Sequence, residues 1–381
     1  MATAAPRAAL VAGEASGDLL GGLFLQGMRQ RWPQLQSVGI GGPQMARHGF
    51  EPWWSYEKLA VRGYAEVLRH YREIVGIRDA LRDRLLQQRP DVFIGVDAPD
   101  FNLGLEEDLK RGGIKTVHFV CPSIWAWRMK RVEKLKRACD HVLCIFPFEP
   151  ELLAQHGVAG TYVGHPLANV IPMDPDRAGA RRALGLPAEG EVIALLPGSR
   201  ASEIEAMTGR FLAAAALLQK QRPNAWFVLP AMPALQARIS QIARSGPAPR
   251  HLTIVTGQSH PVLAACDVAL VASGTATLEA ALFKRPMVIS YHTHWLTYAL
   301  MKPRHLQPWV GLPNILCRDF VVPELLQSNA KPELLRGALA DWLDAPERMR
   351  AVQEKFRALH VLLQRDTATL AADAVETVLA N

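Results

Sequence analysis

Apolar residues in this chain cluster in short runs that stop at Gly, Asp or Pro, and most runs are followed by a stretch in which apolar positions recur every three or four residues. A short continuous run suits a strand buried on both faces, and the three-to-four spacing suits an amphipathic helix, so the alternation predicts parallel sheets covered by helices. In the first half the predicted strands are residues 8–12, 38–40, 92–96, 115–120 and 141–145. In the second half they are 192–196, 226–229, 252–255, 268–271 and 287–291. Between the halves, residues 164–176 (GHPLANVIPMDPD) hold three prolines and little periodicity, which predicts a linker. Past about residue 332 the pattern is helical only. It ends in an alanine-rich segment, 367–380, with no strand of its own domain to cover, so that segment either crosses back or packs on a partner.

The pattern therefore predicts an α/β protein of two facing Rossmann-like, doubly wound domains. Their predicted extents are 1–165 and 166–350, with 351–381 as C-terminal helices that return to the first domain or are exchanged with a second subunit. At 381 residues the chain is long enough for two full cores. Apolar residues make up 49% and charged residues 21%, which excludes disordered and fibrous classes. The five cysteines form no C-x-x-C pair, so neither a disulfide framework nor a zinc site is expected, and a reducing cytoplasm fits. The N-terminal residues read as neither a signal peptide nor a membrane span, and no run elsewhere approaches about 18 apolar residues. A formal net charge of +7 attracts anions generally, including nucleic acid, phosphorylated ligands and anionic lipid, without choosing among them.

In open α/β sheets ligands bind at the carboxyl ends of strands. Four such loops carry candidate chemistry. GEASGD (13–18) opens a helix after the first strand and is not G-x-G-x-x-G, which argues against an ordinary dinucleotide site. Glu14 and Ser16 are candidate ligand residues there; the alternative is a tight turn with Ser16 or Asp18 as helix cap. In IGVDAPDFN, Asp97 follows a strand and suits a general base, with Asp100 three residues on; either carboxylate can instead cap the next helix. LLPGSR places Ser199 and Arg200 beside a helix start, a combination of guanidinium and free amides suited to a diphosphate. ASGTATLEAAL brings Ser273, Gly274 and Thr275 to a strand end, with Glu279 placed to accept ribose hydroxyls or to cap the helix.

Asn314, in the turn GLPN, is a further polar candidate. Residues 128–137 carry six basic side chains and one acidic, suited to phosphates of a membrane or RNA or else to a solvated face. Upstream, Trp53, Trp54, Tyr56, Tyr64, Tyr71, Ile74 and Val75 read as core or as a bilayer-facing stretch. His292 and His294 lack the further ligands that a metal site needs.

Taken in order, VAGEASGD, IGVDAPDFN, PSIWAWR, KRVEKLKRACD, LLPGSR, ASGTATLEAAL and LPN resemble lipid-A-disaccharide synthase, a family of bacterial glycosyltransferases, nearly end to end. The resemblance implies the glycosyltransferase-B fold and metal-independent, inverting transfer of 2,3-diacylglucosamine from its UDP conjugate to the 6-hydroxyl of 2,3-diacylglucosamine 1-phosphate. No cofactor is implied. It further implies Asp97 as base, Ser199 and Arg200 at the donor diphosphate, Glu279 near the ribose, Asn314 lining the donor site, and Arg128 with Arg200 neutralising charge on the leaving group. A peripheral place on the inner membrane and a homodimer also follow from it, with no nucleic acid partner. The polar residues Arg62, Arg69, His70, Arg72 and Glu73 make the stretch at 61–77 less membrane-seeking than the family reading asks. Two other readings stay open: a UDP-sugar 2-epimerase or peptidoglycan transferase of the same fold, and an anion-binding module for RNA or membrane.

Overall fold

The computed structural model describes residues 5–59, 64–125, 129, 131–293 and 307–381, with side chains of the helix Tyr64–Gln88 described from Arg72 onward. The chain divides into two compact units, one built from residues up to Asn169 together with Leu362–Asn381, the other from Val170–Val361.

Among the described residues unit 1 holds seven strands: β1 Arg7–Ala12, β2 Gln36–Gly41, β3 Phe50–Ser55, β4 Val92–Val96, β5 Lys115–Phe119, β6 His141–Cys144 and β7 Gly160–Tyr162. All are parallel, in the order β3-β2-β1-β4-β5-β6-β7. Unit 2 holds β8 Val192–Leu196, β9 Trp226–Ala231, β10 Leu252–Thr256, β11 Val268–Ala272, β12 Met287–Tyr291 and β13 Glu324–Leu326, parallel in the order β10-β9-β8-β11-β12-β13. The central strands β4, β8 and β11 are buried at every residue, the reason their sequences are continuous apolar runs rather than alternating ones. In both sheets the winding reverses at one place, between β1 and β4 in unit 1 and between β8 and β11 in unit 2. Those are the two switch points at which an open α/β sheet leaves a crevice.

The stretch 164–176 is not wholly a linker. Pro166–Val170 forms a short helix, with proline at its first position where a missing N–H costs nothing. The helix Pro346–Leu363 runs uninterrupted past residue 350, and unit 1 resumes at Leu362. There Tyr162 Oη donates to Leu362 O at 2.7 Å, His165 N to Leu363 O at 2.9 Å and Asn169 Nδ2 to Arg365 O at 2.7 Å. The alanine-rich helix Thr367–Ala380 then packs on Ala15–Arg31 of its own chain. The approach is close at Gly27, where a Cβ would lie 2.2 Å from Ala368 O, and Arg31 pairs with Glu376. The helix thus covers unit 1, burying Ala371, Ala372, Val375 and Val378.

Unit 2 is stapled by Arg181, which is fully buried. Its guanidinium donates to the carbonyls of Ala265, Pro187, Ala188 and Gly190 and to Asp267 Oδ2 at 2.8 Å. Asp267 also accepts from Arg177 and from Val192 N, tying the start of β8 to that of β11.

Candidate functional site

At the switch point of unit 1 the loops after β1 and β4 touch, a Cβ on Gly13 falling 2.7 Å from that of Ala98. Asp97 and Ala98 both hold the left-handed backbone conformation, at φ of 52° and 44°, and Val120, just past β5, does so at 82°. A β-branched residue there is costly, and strained backbone of this kind gathers where side-chain placement matters. Asp97 N donates to Phe119 O at 2.8 Å and Asn102 Nδ2 to Asp97 O at 2.8 Å, which fixes the carboxylate's base. Its side chain does not cap the helix Pro99–Arg111, whose N-cap is Ala98. Although Asp97 keeps some exposed surface, burial raises its carboxyl above the ordinary value, His118 draws it down and Glu14 raises it further. His118 is itself fully buried and held by Glu106, with Nδ1 and Oε1 2.8 Å apart.

In the GEASGD loop, Glu14 is the N-cap residue but gives no side-chain cap, and Ser16 Oγ donates to Glu14 Oε1 at 3.2 Å. Asp18 caps a different element. Its carboxylate accepts from the amides of Gly42, Gln44 and Met45 at the start of Pro43–Ala46. Asp100 is exposed and paired with Arg131, and Arg137 pairs with Glu107. Much of the basic run is therefore the solvated, ion-paired face of Arg131–Ala138, whose Val132, Leu135 and Ala138 are buried. Arg128 lies outside the described residues, as do Trp127, residues 60–63 and His294. Trp53, Trp54 and Tyr56 pack against the core around Val11, Ile40 and Phe93, which is the core reading for those three, while the side chains of Tyr64 and Tyr71 lie outside the described residues.

At the switch point of unit 2 a cleft of about 420 Å³ is lined by residues after β8, β9, β10 and β11. Gly198, Ser199, Arg200 and Glu203 form one wall, and Ser273, Gly274, Thr275 and Glu279 another. Glu203 takes part of the helix start expected to be free beside Arg200, that of Ala201–Gln221, whose N-cap brings no side-chain bond of its own. Glu203 Oε2 accepts from Ser199 N at 2.9 Å and Arg200 N at 3.2 Å, so the amide pocket already holds a carboxylate. Arg200 pairs with Glu203 at 3.3 Å yet stays 71% exposed, free to turn to an anion. The helix Thr275–Leu282 starts without such a carboxylate, and its N-cap Gly274 brings no side-chain bond. Its amides and the exposed guanidinium together present donors suited to a diphosphate. Glu279, in the second turn, caps nothing. Its carboxylate lines the cleft 3.4 Å from His260 Nε2.

Asn314 does not line that cleft. It is fully buried, donating to Val322 O and Glu324 Oε1 and accepting from Val322 N, so its amide is spent on closing the segment from Gly311 to Glu324. Sequence reasoning read Asp18 as a cap, though of the wrong helix, and missed several other supporting residues: Glu106, His118, His260 and Glu149. Glu149 is buried, accepts from Trp125 Nε1 at 3.0 Å and from the amides of Ile145 and Phe146, and is pushed by burial up to about 8 against those donors. It anchors the start of the PSIWAWR loop. A glutamate five residues past a strand carries no signal that separates such a role from a helix start.

The description of the family whose model matches residues 8–377 is lipid-A-disaccharide synthetase. The lipid-A-disaccharide synthase of Albidiferax ferrireducens is 64% identical over 376 residues, 97% of each chain. Among solved structures, the UDP-GlcNAc 2-epimerase of Neisseria meningitidis bound to UDP-GlcNAc has a TM-score of 0.64 at 13% identity, covering 98% of this chain and 99% of that one. The calicheamicin glycosyltransferase CalG4 has 0.60 at 16%, covering 99% of each. Those two likenesses show the fold alone, the two-domain architecture of glycosyltransferase-B proteins. The family match and the relative's near-complete coverage go further: the chain belongs to the lipid-A-disaccharide synthetase family and is a glycosyltransferase.

Proposed function

We propose that this chain joins two acylated glucosamines, moving 2,3-diacylglucosamine from UDP-2,3-diacylglucosamine to the 6-hydroxyl of 2,3-diacylglucosamine 1-phosphate. The products are the β-1′,6-linked disaccharide and UDP. The observation that carries this beyond family membership is Asp97: a carboxylate on a strained strand end, with a raised proton affinity, at the switch point of its sheet. Asp97 takes the proton of the 6-hydroxyl as that oxygen attacks the anomeric carbon from the face opposite UDP. The bond from that carbon to the diphosphate breaks, and the electron pair leaves on UDP. A carboxylate made more basic by burial is better suited to accept that proton.

The unit 2 cleft is the donor site in this reading. Arg200 and the amides opening Thr275–Leu282 meet the diphosphate and stabilise its charge as it leaves, Ser199 and Ser273 flank it, and Glu279 accepts from the ribose. Glu14 and Ser16 lie on the acceptor side with Asp97. Because both substrates carry acyl chains, the reading places the enzyme peripherally at the cytoplasmic face of the inner membrane; among the described residues no helix is long and apolar enough to cross one. It also includes a homodimer, as the family resemblance implies.

The test incubates purified protein with the UDP-sugar, with and without acceptor and EDTA, and follows UDP release in the wild type and in Asp97→Ala. Acceptor-dependent, EDTA-resistant release that the variant loses is the expected result. Equal release without acceptor would refute the acceptor assignment, and a full rate in the variant would refute the base.

A further inference from the structure

Glu279 lines the unit 2 cleft from the second turn of Thr275–Leu282, with its side chain 19% exposed. Among the described residues one side chain lies within ion-pair reach of its carboxylate, His260. His260 belongs to a different element, the helix Ser259–Ala265 that follows β10, and does not itself line the cleft. Its neighbours Gly257 and Ser259 do. The chain reaches this helix through two successive left-handed residues, Gly257 and Gln258, at φ of 65° and 58°. The imidazole packs against Phe283, which meets it at 60° with centroids 5.3 Å apart and is itself buried.

The approach of 3.4 Å is an ion-pair distance without a formed hydrogen bond, and because a carboxylate only accepts, a proton that holds it comes from the nitrogen facing it, Nε2. A glutamate side chain has three rotatable bonds, and one that must accept from two vicinal hydroxyls gains most when its rotamer is fixed before the ligand arrives. We propose that His260 is a positioning residue that holds the Glu279 carboxylate in the orientation that reads the ribose hydroxyls, and so sets the preference for ribonucleotide over deoxyribonucleotide. The proposal rests on the reading of this cleft as a UDP site.

The test measures binding of UDP and of 2′-deoxy-UDP by calorimetry to the full-length wild type, His260→Leu, His260→Gln and Glu279→Gln, each first checked for an unchanged melting temperature. The wild type is expected to favour UDP by about tenfold, the scale of one well-placed hydrogen bond to a charged acceptor. His260→Leu and Glu279→Gln should each reduce that ratio to about twofold or less. His260→Gln, whose amide nitrogen reaches about as far as Nε2, should restore most of it. A merely structural histidine would leave the ratio unchanged in His260→Leu, and that result overturns the proposal while the UDP site stands. Equal binding of both nucleotides by the wild type overturns it as well, because Glu279 would then read no 2′-hydroxyl. If the wild type binds neither, the donor-site reading falls and this inference falls with it.

Discussion

Gly198 and Glu203 share one space at the mouth of the unit 2 cleft. A Cβ on Gly198, which holds φ of 125°, would lie 2.5 Å from Glu203 Oε2, the oxygen that accepts from the amides of Ser199 and Arg200. The glycine is what lets an acidic side chain fold back over its own helix start without displacing the PGSR turn.

Gly198→Ala should therefore destabilise unit 2 by about 1–3 kcal/mol through backbone strain and the displaced carboxylate. UDP binding should weaken with it. In a Glu203→Ala background the clash with the carboxylate goes while that with the Cβ of residue 203, at 2.6 Å, stays, so a double-mutant cycle by urea unfolding should show partial non-additivity, whereas fully additive losses would mean that the carboxylate and the added carbon do not compete.

For Asp97 the sign of the pH dependence follows from its surroundings. As the proposed base Asp97 must be ionised, and burial raises its pKa, so kcat/KM should climb with pH along an acid limb centred above the ordinary carboxylate value. Glu14→Gln should move the limb to lower pH, since Glu14 raises that pKa, and His118→Phe should move it to higher pH, since His118 lowers it. Limbs that do not move in these opposite directions would break the electrostatic account. Asp97→Asn should lower kcat by about 10²–10⁴ with UDP affinity unchanged.

The same carboxylate should cost stability. A group whose folded pKa is raised prefers to keep its proton in the native state, so its contribution falls as pH climbs from the unfolded value through the folded one. Asp97→Asn should melt above the wild type near pH 7, with the gap closing toward pH 3. A variant less stable at every pH would contradict this.

Arg181 donates to four carbonyls and to Asp267 without touching solvent. Arg181→Met leaves those acceptors and part of the Asp267 charge unpaired, and should cost about 3–5 kcal/mol. Urea unfolding measures it, and a loss under 1 kcal/mol would show that the fold relaxes around the gap.

Gly27→Val should dislodge the helix Thr367–Ala380 from Ala15–Arg31, because even one added carbon meets the Ala368 backbone. Limited proteolysis should then cut near 364–366 faster than in the wild type while the unit 2 fragment stays resistant. Unchanged cleavage would mean that the contact is looser than drawn.

Ten of the thirteen strands among the described residues were readable as apolar runs, and the three that were not, β3, β7 and β13, each lie at a sheet edge. Edge strands face neighbours on one side only. Phe50–Ser55 mixes Glu and Pro with tryptophans, and β7 and β13 are three residues long, too short for any periodicity to show. The strand-end loops were legible because strand, turn and helix start are written in local order. Which loops share a switch point was not, since that depends on strand order. Local pattern also suggested a free helix start beside Arg200, but a glutamate three residues on, usual at helix starts, folds back into it. The burial of Asn314 was not legible for a related reason: an asparagine in a turn looks the same whether its amide faces a cleft or closes a loop. His260 offered no signal, because its partner lies nineteen positions away on another helix.

Unit 1 is assembled from both ends of the described chain, with Leu362–Asn381 supplying its last helix. During synthesis the face of Ala15–Arg31 that this helix covers must wait, uncovered, until the whole of unit 2 has left the ribosome. Unit 2 is contiguous and can close first. The part carrying Asp97 is thus the last to become whole, and a nascent chain stalled anywhere before residue 362 presents an apolar helix face rather than a finished fold.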